Sequence, residues 1–117
     1  FSTEEKINFL KESLKHLDNI VIDFTDKLVY EYCFEKNIGT IIRGVRTITD
    51  YQSENQLFYF NYELSNKKVD TVCLFAKTEH SFLSSSMVKE LALFKGDVSK
   101  YVPPIVVQGF KNKCSMQ

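Results

Sequence analysis

The sequence predicts an α/β fold in which a parallel sheet is flanked by helices. Three observations lead there. Ile20-Val21-Ile22, Thr40-Ile41-Ile42 and Val72-Cys73-Leu74-Phe75-Ala76 are continuous apolar runs rich in β-branched residues, the pattern of strands covered on both faces. The stretches between them repeat their apolar residues at helical spacing. Glycine (4) and proline (2) are scarce enough to mark boundaries rather than fill loops. Strands alternating with helices imply right-handed crossovers and parallel pairing, with ligands at the carboxyl ends of the strands.

Each element has its own signal. Ser2 and Glu5 form a capping box, and Ile7, Leu10, Leu14 and Leu17 make one apolar helix face that ends at Asp18-Asn19. Ile20-Val21-Ile22 is the first expected strand. From about Lys27 to Lys36, Leu28, Val29, Tyr32 and Cys33 fit a second helix, punctuated by Asn37 and Gly39. Thr40-Ile41-Ile42 is the second strand and closes at Arg43-Gly44. A helix follows from about Thr49 to Leu64, with aromatics on more than one side (Tyr51, Phe58, Tyr59, Phe60, Tyr62), so it is expected to be buried on several faces or to meet another subunit. Val69 to Ala76 is the third strand. Ser84-Ser85-Ser86 opens a helix through Met87, Val88, Leu91 and Phe94, which Gly96 stops. After a connector from Val98 to Val102, Pro104 suits the first position of a short last helix, Ile105 to Phe110. With no repeat, linker or low-complexity segment, residues 1–117 read as one domain.

Composition narrows the function. Lys+Arg 15 and Asp+Glu 15 cancel, which argues against sequence-independent nucleic-acid binding and against a polybasic membrane surface. No apolar run approaches the roughly 18 residues of a membrane span, and no signal-peptide pattern occurs. Cys33, Cys73 and Cys114 are widely spaced with no C-x-x-C pair, so neither a zinc site nor a disulfide framework is expected, and a reducing, cytoplasmic setting fits.

Two segments at strand ends have the residue types that grip anions. In Arg43-Gly44-Val45-Arg46, two guanidiniums three positions apart flank a glycine that lets backbone approach a phosphate chain; solvated loop arginines are the alternative. In Ser81-Phe82-Leu83-Ser84-Ser85-Ser86, hydroxyls join the free amides of a helix N-terminus; plain serine capping is the alternative. Glu54 lies where it can orient the arginines or accept from a sugar or amine, unless it is an ordinary exposed helix charge. His80 is a candidate ligand contact, whereas His16 suits a helix C-terminus. No G-x-x-x-x-G-K-[ST], G-x-G-x-x-G or G-x-S-x-G motif occurs.

Together the segments resemble a known family. Ile42-Arg43-Gly44-Val45-Arg46 followed by Asp50-Tyr51 and Glu54 is similar to an I-R-G-[LV]-R…D-[FY]-x-x-E signature. Ser81 to Glu90 is similar to S-F-[IL]-S-S-S-x-V-K-E, Gly96-Asp97-Val98 with Val102-Pro103 to G-D-[VI]…[VL]-P, and Phe1 to Lys6 to F-[ST]-x-E-E-[RK]. The family is bacterial phosphopantetheine adenylyltransferase, of the nucleotidyltransferase superfamily, and the resemblance covers essentially the whole chain.

The resemblance implies a Rossmann-like nucleotidyltransferase fold and a reaction in which the phosphate of 4′-phosphopantetheine attacks the α-phosphorus of ATP. The products are dephospho-coenzyme A and pyrophosphate, and Mg²⁺ assists. It implies that Arg43, and Val29 largely through its backbone, bind phosphopantetheine. Gly44, Val45, Arg46 and Glu54 would bind ATP, with His80, Ser81, Phe82, Leu83, Ser84, Ser85 and Ser86 as its cradle. It also implies a homohexamer with contacts from the aromatic helix. Where this chain has His80 the family often has a bulky aromatic. The family's T-F-D-P…G-H strand and loop, with its transition-state histidine, and the lysine after it have no match here. Since the first residue is Phe1 and not Met, a strand–loop–helix unit is expected ahead of it, with no catalytic residue in this chain and little activity from the chain alone. A truncated, non-catalytic nucleotide-binding module is the competing expectation, and an interaction domain built on the aromatic helix is a third.

Overall fold

The computed structural model describes residues 1–115 and is of mixed α/β class with a two-stranded parallel sheet. In chain order its elements are α1 (Thr3–Leu14), α2 (Val29–Glu35), β1 (Thr40–Val45), α3 (Ile48–Leu64), β2 (Asp70–Phe75), a 3₁₀ turn at Thr78–His80, α4 (Ser85–Leu93) and α5 (Pro104–Ser115). The chain divides into two compact units, Phe1–Phe24 with Leu83–Gln117, and Thr25–Phe82.

The unit Thr25–Phe82 holds α2, β1, α3 and β2, then the 3₁₀ turn. Because α3 carries the chain back to the start of the sheet, β2 runs parallel to β1, in register from Thr40 opposite Asp70 to Val45 opposite Phe75. Helix α3 packs on both strands and on α2. Alternation along β1 puts Ile41, Arg43 and Val45 on the α3 side, with Val45 only 2% exposed, while Ile42 on the other face is 67% exposed.

Local chemistry sets the ends of these elements. Helices α2 and α3 stop where Asn37 and Asn66 turn left-handed (φ 55° and 53°), and the next amides, of Ile38 and Lys67, reach back to the carbonyls of Cys33 and Tyr62. Ser65, fully buried, then ties α3 to β2: its hydroxyl donates to the Tyr62 carbonyl and accepts from the Val69 amide, each at 3.0 Å.

The other unit is helical, built from α1, α4 and α5. The capping box is present, with the Ser2 hydroxyl accepting from the Glu5 amide at 3.1 Å and the Glu5 carboxylate accepting from the Ser2 backbone amide. Val88, Ala92 and Val98 form the core, with Leu91, Val102, Val107 and Phe110 packed on it. Helix α1 meets α5 at Gly109, where a Cβ would lie 2.7 Å from the ring of Phe9. The Phe1 ring sits edge-on to Phe9 and Phe110, with centroids 4.9 Å away in both cases.

Several expectations are corrected. Ile20-Val21-Ile22 is not a strand, and Val21 is 89% exposed. A β-branched run favours a strand only where another strand pairs with it, and none does among the described residues. The first helix ends at Leu14 instead of Leu17, and the last continues well past Phe110. Lys95 (φ 58°), not Gly96, makes the left-handed turn that ends α4; Gly96 is needed because a Cβ there would lie 2.2 Å from Leu91 Cδ1. Cys33 is buried and free, and Cys73 is free and partly buried; the side chain of Cys114 lies outside the described residues. Among the described residues no helix is long and apolar enough to cross a membrane.

Candidate functional site

Strand β1 carries the arginine segment, and α3 meets it with two carboxylates. Arg43 lies within the strand. Its Nε donates to Glu54 Oε2 at 2.9 Å and its Nη2 to Glu54 Oε1 at 2.8 Å, a two-point fork. The Glu54 side chain is 12% exposed and that of Arg43 50%, so the acid is the sheltered partner and the guanidinium faces outward. The fork holds the Arg43 proton more firmly still, outweighing the opposing effect of partial burial.

One turn earlier on the same helix face, Asp50 serves the second arginine. Its Oδ2 accepts the Arg46 backbone amide at 3.1 Å and lies 3.3 Å from Arg46 Nε. The amide bond, with the Arg46 charge adding to it, holds the Asp50 carboxyl below its ordinary range. Thr47 caps α3 by accepting from the Asp50 amide at 3.1 Å, which fixes this turn against the end of the strand.

The Arg43–Glu54 pair lines a cavity of about 410 Å³, walled by Leu28, Val29 and Tyr30 from the start of α2, by Ile41, and by Leu57 and Phe58 from α3. Val29 and Arg43, far apart in sequence, therefore share one cavity. Apolar walls with a single outward guanidinium suit a ligand that is mostly uncharged and ends in an anionic group. Val45 is buried, which leaves only its backbone for any ligand. Gly44 has φ outside the left-handed region and open space where a Cβ would stand, so neither backbone conformation nor packing among the described residues calls for glycine there.

The serine segment is divided between the units. His80, exposed, ends the 3₁₀ turn with Nε2 at 3.4 Å from Glu79 Oε1, and the Ser81 hydroxyl donates to the Thr78 carbonyl at 2.8 Å. Phe82 is 54% exposed. In the other unit, following Leu83, Ser84 is the N-cap of α4: its hydroxyl accepts from the Met87 amide at 3.1 Å and lies 3.0 Å from that of Ser86. The capping alternative thus accounts for the Ser84 hydroxyl. The amides of Ser85 and Ser86 belong to the first turn, whose N–H groups have no partner within the helix. Leu83, Ser84 and Ser85 also line a cavity of about 470 Å³ with Lys6, Lys89 and Tyr101.

Two contributions escape a reading of the sequence. Asp50 stands in the arginine signature without a role of its own until the fold brings it to Arg46. The apolar wall is legible in principle, because Glu54, Leu57, Phe58, Asn61 and Leu64 follow helical spacing and all line the Arg43 cavity. Among the described residues no three His, Cys, Asp or Glu side chains gather as a metal cage. No protein-family model matches the chain.

Proposed function

We propose that the protein transfers the adenylyl group of ATP to 4′-phosphopantetheine, giving dephospho-coenzyme A and pyrophosphate. The observation that carries this reading is the cavity shared by Val29 and Arg43: a long apolar wall and one outward guanidinium match an uncharged pantetheine arm ending in a phosphate. The sequence signatures around Arg43 and Ser84 support it as well.

In this reading the chain acts by positioning and by neutralising charge. Arg43 holds the acceptor phosphate so that one of its oxygens faces the α-phosphorus of ATP. That oxygen forms the new P–O bond as the bond to pyrophosphate breaks. Gly44, Val45 and Arg46 receive the nucleotide, its backbone approach helped by the open space at Gly44 and its triphosphate charge met by Arg46. The sequence resemblance assigns the remaining donors to the first-turn amides of α4, with His80 to Leu83 leading into them. Mg²⁺ would arrive on the triphosphate, whose oxygens, more than protein carboxylates, are its ligands; bound there it would offset developing negative charge.

The test is product formation. The full-length protein incubated with ATP, 4′-phosphopantetheine and Mg²⁺ should yield dephospho-coenzyme A and pyrophosphate in equal amounts, whereas residues 1–117 alone should bind both ligands with little turnover. Binding of both ligands without turnover by the full-length protein would support the non-catalytic nucleotide-binding module instead. Binding of neither would remove both readings.

A further inference from the structure

We propose that Glu54 is a positioning residue for Arg43, setting the angle at which that guanidinium meets the acceptor phosphate, and is not a contact of the nucleotide. This rests on the adenylyl-transfer reading, in which the resemblance would put Glu54 on ATP.

The geometry favours Arg43. Both Glu54 oxygens are engaged by it, and the Glu54 side chain is only 12% exposed, which leaves little carboxylate surface for a ribose or an amine. The fork uses the Nε and Nη2 edge of the guanidinium. Of its five N–H groups three are left, and two of these form the outward Nη1/Nη2 end, a second fork shaped for a phosphate. A sheltered carboxylate on α3 therefore fixes a long, half-exposed side chain before the ligand arrives. Without it, the ligand would have to order that side chain itself, and arginine has much rotamer freedom to lose.

The negative charge of Glu54 opposes the incoming anion, but that effect is the smaller one. The anion would approach the far end of the guanidinium, with the positive charge of Arg43 between it and Glu54 and half-exposed surface keeping the local dielectric high. Asp50 repeats the arrangement one turn earlier by holding the backbone amide and Nε of Arg46. Each arginine of the segment thus has its own acid on one face of α3.

The test is calorimetric titration of the protein with 4′-phosphopantetheine and, separately, with ATP at about 0.15 M ionic strength. Glu54→Gln should weaken phosphopantetheine binding about tenfold, the effect of loosening one charge-assisted fork, and leave ATP binding within about twofold. Glu54→Asp, which keeps the charge but falls a methylene short, should weaken it similarly. In an Arg43→Lys background, which has charge but no fork, Glu54→Gln should change little further. Thermal midpoints confirm that each variant folds. The proposal is overturned if Glu54→Gln weakens ATP and spares phosphopantetheine, if it tightens phosphopantetheine, or if its effect is undiminished in the Arg43→Lys background. Failure of the wild-type protein to bind either ligand would overturn the adenylyl-transfer reading and this one together, and is told apart because the wild type itself fails.

Discussion

Removing one hydroxyl, at Ser65, should unfasten the end of α3 from the start of β2. In Ser65→Ala the Val69 amide loses its acceptor at a position that is 1% exposed, so water cannot readily replace it. The Tyr62 carbonyl loses a donor as well, but it keeps the Lys67 amide at 2.7 Å and so remains satisfied. The cost is therefore that of one buried, unsatisfied donor, about 2 kcal/mol. For a chain of this size that corresponds to a fall of about 8 °C in the thermal midpoint. The assay is thermal and urea unfolding of the wild type, Ser65→Ala and, as a control, Ser53→Ala at an exposed position of the same helix. The control should stay within about 0.5 kcal/mol. Hydrogen exchange at the Val69 amide should accelerate in Ser65→Ala. If Ser65→Ala were as stable as the control, with Val69 equally protected, the hydroxyl would not be the tie between α3 and β2.

Other consequences can be checked in the same way. Gly44→Val should leave the thermal midpoint unchanged or slightly higher, since the added side chain meets open space and suits a strand, yet weaken ATP binding at least about tenfold by blocking backbone approach; thermal unfolding and calorimetry read the two sides of that expectation. Gly109→Ala should destabilise by about 1–3 kcal/mol, because the new Cβ would press on the Phe9 ring, and urea unfolding measures it. The carboxyls of Glu5, Asp50 and Asp97 are held below their ordinary values chiefly by the backbone amides of Ser2, Arg46 and Ser99. Their stabilisation is complete above the unfolded-state values near pH 4 and is lost as pH falls through the lower folded-state ones; Asp50→Asn should therefore flatten the acid limb of a stability–pH profile. Ser84→Ala should cost about 1 kcal/mol through loss of the α4 cap, measured by urea unfolding.

What is legible in the sequence is mostly what short-range chemistry decides. The capping box at Ser2 and Glu5, the left-handed turn at Asn37 and Pro104 at the start of α5 all rest on interactions within a few residues, whereas the strand Thr40-Ile41-Ile42 has the right composition and also finds its partner thirty positions on, in β2. The arginine segment is legible because two guanidiniums flanking a glycine are the residue types that grip anions, whatever their packing. What is illegible depends on distant partners. Ile20-Val21-Ile22 has the composition of a strand and lacks a neighbour to pair with. Lys95 takes the turn expected of Gly96, because the helix closes one residue earlier, with the Gly96 amide on the Leu91 carbonyl at 2.9 Å. Ser65 shows no pattern in sequence, since its role comes from the register of α3 against β2. Glu54 is visible as an acid near two arginines, but only the fold assigns it to Arg43.

Backbone-amide chemical-shift mapping tests the division of labour around β1 most directly. With 4′-phosphopantetheine alone, shifts are expected at Val29, Tyr30 and Arg43, around the cavity they share. With ATP alone, they are expected at Gly44 to Arg46 and at Ser84 to Ser86. Shifts from both ligands clustering elsewhere, or no shifts from either, would contradict the assignment of these residues to an adenylyl transfer.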